Sequence, residues 1–285
     1  MKYILGTAQF GSLYGVNNAG CMPSEKEVFS ILNTAYDSDI VFLDTASSYG
    51  ESERTIGKFI ETFGRQFSIC SKYSGIHDPL QELNKTLAVL NTEKLYLYYL
   101  HKFSDCKNTS ITNALIGFRS IGIVEKTGIS IYTPDELYYI MDNCGDIFNV
   151  IQIPFSIIDC NRWVNPIKKA YDKGMMIFCR SILLQGALLK KRHDEFITRY
   201  QAEEIIDSIS DLCIKYNCTI IELAFSFCNS FDEISGIVFG CDTQAQLEDN
   251  VSIIRRLICF SKHERQLIMN RFRDINSSFI DPRQW

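Results

Sequence analysis

The sequence lacks the features that mark several other classes of protein. It has no apolar run long enough to cross a membrane, no block of basic residues and no C-x-x-C pair. Its formal net charge is −5, from 29 basic and 34 acidic residues, which argues against nucleic acid or an anionic membrane as the main partner. The content of 46% hydrophobic and 22% charged residues is typical of a globular domain.

The cysteines indicate neither a disulfide framework nor a metal site. There are 11 of them, an odd number, and several lie inside apolar runs, as Cys70 and Cys179 do. Reduced thiols in such places behave as small hydrophobic side chains. No secretory signal peptide is recognisable, so we expect a reducing, cytoplasmic compartment. A zinc site needs clustered Cys and His, and because the sequence offers no such cluster we expect no metal.

Short apolar runs rich in β-forming residues recur along the chain and alternate with amphipathic segments. Near-continuous hydrophobicity is typical of strands that are covered on both faces. The runs predict eight strands: Tyr3–Phe10, Ile40–Thr45, Phe67–Lys72, Leu95–His101, Glu125–Ser130, Val150–Phe155, Met175–Ser181 and Gly236–Gly240. The amphipathic segments predict helices at Ser24–Asp37, Pro134–Asp142, Asn165–Lys173, Ala202–Tyr216 and Thr243–Ile254. The first begins with a predicted capping box, Ser24 followed by Glu27.

Eight strands that alternate with helices over 285 residues predict a (β/α)8 TIM barrel. A doubly wound sheet is the alternative, but the G-T-A-Q-F-G stretch after the first strand lacks the G-x-G-x-x-G spacing of that fold. No linker or repeat divides the chain. We therefore expect one domain over residues 1–285, with a helix after Lys262 and an extended end.

Chemically active side chains lie where the predicted strands end. Strand two ends at Asp44, strand three at Lys72 and strand four at His101, while Tyr49 lies in the loop after strand two. In such barrels the active site forms at the carboxyl ends of the strands. Each residue alone has an ordinary structural explanation, such as a turn cap for Asp44. Their occurrence on three consecutive strands and the adjoining loop favours a catalytic site.

These four side chains suit the protonation of a carbonyl oxygen. A free tyrosine has a pKa of about 10, and a nearby lysine ammonium stabilises the phenolate. A buried lysine needs a counter-charge, which Asp44 supplies. His101 is placed to hydrogen-bond the substrate oxygen and direct it towards the Tyr49 hydroxyl. Reduction also needs a hydride, which no side chain provides, so a nicotinamide cofactor is implied.

The same residues lie in motifs that resemble those of the aldo-keto reductase superfamily. The match begins with F-L-D-T-A-S-S-Y-G, S-K-Y and Y-Y-L-H-K, and the family's catalytic tetrad then corresponds to Asp44, Tyr49, Lys72 and His101. It continues with T-G-I-S-I-Y, V-I-Q-I-P-F, R-S-I-L-L-Q-G and Q-L-E-D-N. Each motif alone is a weak signal. The ordered set covers about Lys2 to Val251 and implies a barrel that binds a nicotinamide dinucleotide.

The resemblance also implies which residues bind the cofactor. Ser130 and Gln152 would hold the nicotinamide carboxamide, although Ile131 stands where the family usually has Asn. Arg180 replaces a ring-stacking aromatic residue, and its planar guanidinium could stack in its place. The full implied set is Gly6, Thr7, Ala8, Asp44, Ser130, Gln152, Arg180, Ser181, Leu183, Gln185, Gly240, Cys241, Asp242, Gln246, Asp249 and Asn250.

The adenosine end departs further from the family pattern. Relatives that use NADPH usually offer Lys or Arg to the 2′-phosphate, whereas this chain has Gly240 and Gln246 at those positions. Asp242 would repel a phosphate. The basic stretch at 190–192, Lys190, Lys191 and Arg192, is a candidate replacement over the phosphates. The resemblance therefore favours NADPH only slightly, with NADH as the other option.

The leading hypothesis is an NAD(P)H-dependent reductase of an aldehyde or ketone. One alternative is a cofactor-binding regulatory subunit without significant turnover, and another is a sugar or polyol dehydrogenase that works mainly in the oxidative direction. A short loop at 101–110 indicates an open mouth suited to a sugar derivative, with Tyr14, Asn17, Tyr73 and Tyr132 as candidate contacts for hydroxyl groups. We expect a small-molecule substrate, no nucleic acid and no membrane, and a monomer or a dimer.

Overall fold

A computed structural model describes residues 1–17 and 20–285. In these residues eight parallel strands form a closed barrel in the order β1 to β8, with β1 paired to β8. The strands are β1 (Lys2–Gly6), β2 (Phe42–Asp44), β3 (Ser68–Tyr73), β4 (Leu95–Leu100), β5 (Val124–Ser130), β6 (Val150–Pro154), β7 (Met176–Arg180) and β8 (Ile234–Phe239). The predicted (β/α)8 barrel is confirmed, and the doubly wound alternative is excluded.

Helices follow the strands and cover the outside of the barrel. Those that the structure describes are α1 (Glu25–Asp37), α2 (Ser52–Phe63), α3 (Pro79–Val89), α4 (Thr109–Ser120), α5 (Pro134–Asn143), α6 (Val164–Asp172), α7 (Glu195–Arg199), α8 (Glu203–Tyr216), α9 (Ile220–Asn229), α10 (Gln244–Ile254), α11 (Lys262–Asn270) and α12 (Ser277–Ile280). The five predicted helices are confirmed to within the usual uncertainty of helix ends, and the helix expected after Lys262 is α11. The sequence did not predict α2, α3, α4, α7, α9 and α12.

Three local predictions were wrong. The first strand ends at Gly6, because a 3₁₀ turn forms at Ala8–Phe10. The chain end is not extended, since α12 is followed by a 3₁₀ turn at Pro282–Gln284. At the start of α1 the Ser24 hydroxyl accepts a hydrogen bond from the Glu27 backbone N–H, but the Glu27 carboxylate accepts one from the Gln244 backbone N–H instead of closing a capping box.

Two apolar cores hold the barrel together. The larger lies between the strands and the surrounding helices. The smaller fills the inside of the barrel and consists of Ile4, Cys70, Leu97, Tyr99, Val150, Phe178 and Val238. Seven of the eleven cysteines are buried as free thiols, as expected for small hydrophobic side chains. The packed interior leaves the carboxyl end of the barrel as the place where polar side chains gather.

Two structural features are absent from the described ranges. Among residues 1–17 and 20–285, no helix is long and apolar enough to cross a bilayer. The same ranges contain no group of three or more His, Cys, Asp or Glu side chains able to hold a metal ion.

Candidate active site

The structure brings the four predicted catalytic residues together at the carboxyl end of the barrel. Asp44 is the last residue of β2, Lys72 lies near the end of β3, and His101 directly follows β4. The Lys72 Nζ donates to Asp44 Oδ1 at 2.5 Å, to the Thr45 carbonyl at 2.9 Å and to Tyr49 Oη at 3.2 Å. All three donors of the ammonium are therefore used, and one of them is aimed at the Tyr49 oxygen.

The Lys72–Asp44 ion pair is buried. The two side chains are 1% and 6% exposed. Burial alone would lower the pKa of Lys72, but the charges of Asp44 and Tyr49 and their hydrogen bonds raise it above its ordinary value. The lysine therefore stays protonated beside the phenol.

Gln152 fixes the second oxygen of the Asp44 carboxylate. Its side-chain amide donates to Asp44 Oδ2 at 2.7 Å, and it is 1% exposed. Ser130, at the end of β5, is its neighbour in the β5–β6 register and is also buried. Both oxygens of Asp44 are thus held, and with them the direction in which the carboxylate faces Lys72.

His101 is a neutral imidazole in this environment. Its ring centre lies 5.9 Å from that of Tyr49, with the two planes almost perpendicular. Burial, together with the positive charges of Lys72, Arg180 and Lys102, lowers the pKa of His101 to about 3. The Ser48 hydroxyl lies 3.2 Å from His101 Nδ1. The sequence predicted no role for Ser48, and its position next to Tyr49 is the only signal for this contact.

The loop that carries Tyr49 is held by two kinds of contact. Gly11 and Gly50 approach each other so closely that a Cβ on either would overlap the backbone opposite, at Tyr49 or at Gly11. The Ser47 hydroxyl contacts both the Lys72 carbonyl at 3.2 Å and Glu82 Oε1 at 2.8 Å. Tyr49 is therefore anchored to the β1 loop on one side and to the end of β3 on the other.

A cleft runs from the Tyr49 region across the carboxyl ends of β1, β7 and β8 to the first turns of α10. All predicted cofactor residues except Ser130 and Gln152 line it. The lining also includes residues that the sequence analysis did not assign to the cofactor: Gln9, Tyr14, Gly15, Asn17, Ile182, Gly186, Leu189, Ile221, Phe225, Val238 and Phe239. The β1 loop closes on the turn after β7 through a bond from the Val16 N–H to the Gln185 carbonyl, at 3.0 Å. An elongated cleft with the reactive residues at one end fits a dinucleotide.

Arg180 lines this cleft but already has a stacking partner. Its guanidinium carbon lies 4.4 Å from the centre of the Tyr132 ring, and its Nη2 is 3.4 Å from the Ile131 carbonyl. Within the described ranges, no carboxylate lies at ion-pair distance from it. A ligand ring that stacks on Arg180 would therefore compete with Tyr132 or use the other face of the guanidinium.

Some residues considered from the sequence do not reach the cleft. Lys190 pairs with Asp194 at 3.0 Å, Arg192 pairs with Asp207, and the 190–192 stretch is not part of the lining. The predicted role of this stretch over the phosphates is therefore not supported. The hydroxyl of Tyr73, considered as a contact for a sugar, donates to the His77 carbonyl at 2.9 Å and the ring is buried.

The sequence identifies the chain as a member of a family of oxidoreductases. More specifically, the chain belongs to the Aldo/keto reductase family, whose sequence profile matches residues 2–268. Members of this family bind a nicotinamide cofactor and act on small carbonyl compounds. No curated protein sequence matches the chain.

Three solved structures with the same fold are aldo-keto reductases. One from Bacillus halodurans, in its holo form, is 18% identical with a TM-score of 0.74, covering 98% of this chain and 95% of that one. MGS-M4, from a Medee basin deep-sea metagenome library, is 18% identical with a TM-score of 0.71, covering 97% and 93%. The thermostable Tm1743, in complex with the inhibitor epalrestat, is 19% identical with a TM-score of 0.71, covering 94% of both chains. At such low identity the likeness shows the fold.

Proposed function

We propose that this protein reduces an aldehyde or ketone to an alcohol, with NADPH or NADH as the hydride donor. The observation that supports this most directly is the Lys72 ammonium, which contacts the Asp44 carboxylate and the Tyr49 oxygen at once. Such an arrangement has a clear chemical use. It stabilises a phenolate, so that Tyr49 can give up its proton without the help of a metal ion.

In the proposed mechanism each side chain has one task. A bound nicotinamide cofactor supplies the hydride. Tyr49 transfers its hydroxyl proton to the carbonyl oxygen, which leaves as the alcohol, and the resulting phenolate is held by Lys72. If the Ser48 hydroxyl donates to His101 Nδ1, the imidazole carries its proton on Nε2, where it can hydrogen-bond the substrate oxygen. Asp44 keeps the ammonium in place.

The same proposal assigns residues to the cofactor. By the family resemblance Ser130 and Gln152 would bind the nicotinamide carboxamide at the Asp44 end, although neither lines the cleft in this structure. Gly6, Thr7 and Ala8 would lie under the nearby ribose, and Ser181, Leu183 and Gln185 along the pyrophosphate. Asp249 and Asn250, on α10, would contact the adenine. The family resemblance favours NADPH for this position.

A hydrophilic carbonyl compound such as a sugar derivative is our proposed substrate class. Two polar side chains that line the cleft, Tyr14 and Asn17, support this proposal, because they would offer hydrogen bonds to hydroxyl groups. We expect the value of kcat/KM for an aldose to exceed that for an unsubstituted aliphatic aldehyde. The opposite order would remove the support for a sugar.

Turnover assays distinguish the proposed reductase from its two rivals. Purified protein is mixed with NADPH or NADH and with a short aliphatic aldehyde, an aromatic aldehyde or an aldose, and loss of the reduced cofactor is followed by its absorbance. Oxidation that depends on the carbonyl supports the reductase. Cofactor binding without oxidation by any carbonyl would favour a regulatory subunit. Faster reaction with a polyol and the oxidised cofactor would favour the dehydrogenase.

A further inference from the structure

The end of the cleft that lies away from Tyr49 carries negative charge. Because a reacting nicotinamide would have to lie next to Tyr49 and His101, the adenosine half of a bound dinucleotide would extend towards the first turns of α10. Asp242 lines the cleft there. Its Oδ1 is buried and, within the described ranges, has no hydrogen-bond partner. No protein donor in those ranges therefore offsets the negative charge on this oxygen.

A second carboxylate lies at the same place. Glu27, from α1, accepts a hydrogen bond of 2.6 Å from the Gln244 backbone N–H at the start of α10. The Thr243 side chain accepts another from the Gln246 N–H at 3.2 Å. Free N–H groups at a helix start normally attract a phosphate. Here the N–H groups of Gln244 and Gln246 already donate to protein oxygens. One of the two acceptors, the Glu27 carboxylate, is charged.

Within the described ranges, no Lys or Arg forms an ion pair with either acid. Among the described residues that line the cleft, Arg180 is the only Lys or Arg, and it lies at the β7 end beside Tyr132. Gly240, where NADPH-binding relatives usually have Lys, lies against the amide of Gln9. A Cβ at this glycine would overlap that amide, so a longer side chain would require Gln9 to move. Gln9 thus occupies the space that a phosphate-binding lysine would need.

We propose that the cleft selects the dinucleotide with a free adenosine 2′-hydroxyl, which is NADH rather than NADPH, and that Asp242 accepts a hydrogen bond from this hydroxyl. The inference rests on the proposed function, because it takes the cleft to bind a nicotinamide dinucleotide. The Asp242 carboxylate lines the cleft, and a hydroxyl group can donate a charge-assisted hydrogen bond to it. A 2′-phosphate would place up to about two further negative charges beside Asp242 and Glu27. The preference is the opposite of the one that the family resemblance implies.

Direct binding measurements test this inference without any carbonyl substrate. NADH and NADPH are titrated separately into the purified protein, and the dissociation constants are obtained from the fluorescence of the bound reduced cofactor. We expect NADH to bind at least about tenfold more tightly. In Asp242→Asn the ratio should fall about tenfold, because NADPH binds more tightly and NADH more weakly. Asp142→Asn, an exposed change on α5, is the matched control and should leave the ratio unchanged.

Each outcome has a definite meaning. Equal or tighter binding of NADPH by the wild-type protein would overturn the inference while leaving the proposed reduction intact. An unchanged ratio in a folded Asp242→Asn protein would overturn the role of Asp242. If a thermal melt shows that Asp242→Asn does not fold, Asp242→Ser takes its place. The ratio of the NADPH and NADH dissociation constants of this variant is then compared with that of the wild type. Binding of neither cofactor would overturn the proposed function itself.

Discussion

The buried pair of Lys72 and Asp44 leads to a prediction that separates stability from catalysis. Their side chains are 1% and 6% exposed, so replacing one partner leaves a charge without compensation in the interior. Breaking a pair of this kind costs about 3–5 kcal/mol of unfolding free energy. We expect Lys72→Met and Asp44→Asn each to lose stability in this range, and Lys72→Met to lose almost all turnover.

The double variant Lys72→Met/Asp44→Asn removes both charges. It should be more stable than the sum of the two single losses predicts, by about 2–3 kcal/mol, because neither charge is left unpaired. Its turnover should stay as low as that of Lys72→Met, since the phenolate has lost its ammonium. Urea unfolding followed by circular dichroism, together with steady-state assays, measures both quantities.

A matched control is available on the surface. Lys168 pairs with Asp172 on α6 at 3.0 Å, and both side chains are more than half exposed. Solvent screens such pairs, so Lys168→Met should unfold at the same urea concentration as the wild type. The reasoning would be refuted if Lys72→Met were as stable as this control, or if the losses of the two single changes simply added in the double variant.

Two further predictions concern pH. Burial raises the pKa of Glu53 from 4.5 to about 7, so the folded state keeps this proton longer than the unfolded state and stability falls as the pH rises between these values. Glu53→Gln has no carboxyl group to titrate and so does not lose this stability. The difference in unfolding free energy, Glu53→Gln minus wild type, should therefore rise by about 3 kcal/mol between pH 4.5 and pH 8. Since the pKa of His101 is lowered to about 3, kcat/KM should show no acid limb near pH 6.5. A limb there that disappears in His101→Gln would contradict a neutral imidazole.

Patterns along the chain were sufficient to predict the barrel. Strands buried on both faces have near-continuous apolar runs, and eight of these appear in order. The first strand was predicted too long because Thr7–Phe10 continues the apolar pattern. In the structure the Thr7 N–H bonds to the Asp44 carbonyl and the chain then turns. A local pattern does not reveal where a neighbouring strand stops offering hydrogen bonds.

The reactive end of the site was also accessible from the sequence. Asp44, Lys72 and His101 end consecutive strands, and the closure of a parallel barrel brings such ends together. The contact of Ser48 with His101 was not predicted, because it depends on the conformation of a loop. The order of residues therefore indicated which groups meet but not how they are held.

The adenosine end shows what the sequence could not reveal. Glu27 follows Ser24 at the spacing of a capping box, and a local motif was the natural prediction. Its carboxylate instead reaches Gln244, because β1 and β8 are adjacent in the closed barrel and α1 packs against α10. Contacts across more than two hundred residues leave no local pattern. The filling of the space at Gly240 by Gln9 has the same origin.

The central claim is that the Tyr49 hydroxyl provides the proton for carbonyl reduction, and Tyr49→Phe tests it most directly. This change removes one oxygen and keeps the ring beside His101. With the carbonyl that the wild type reduces fastest, kcat should fall by at least about a thousandfold, which corresponds to the loss of a general acid. The dissociation constant of the cofactor should change less than about threefold, because the hydroxyl is assigned no bond to the cofactor. Turnover by Tyr49→Phe at the wild-type rate would contradict the account.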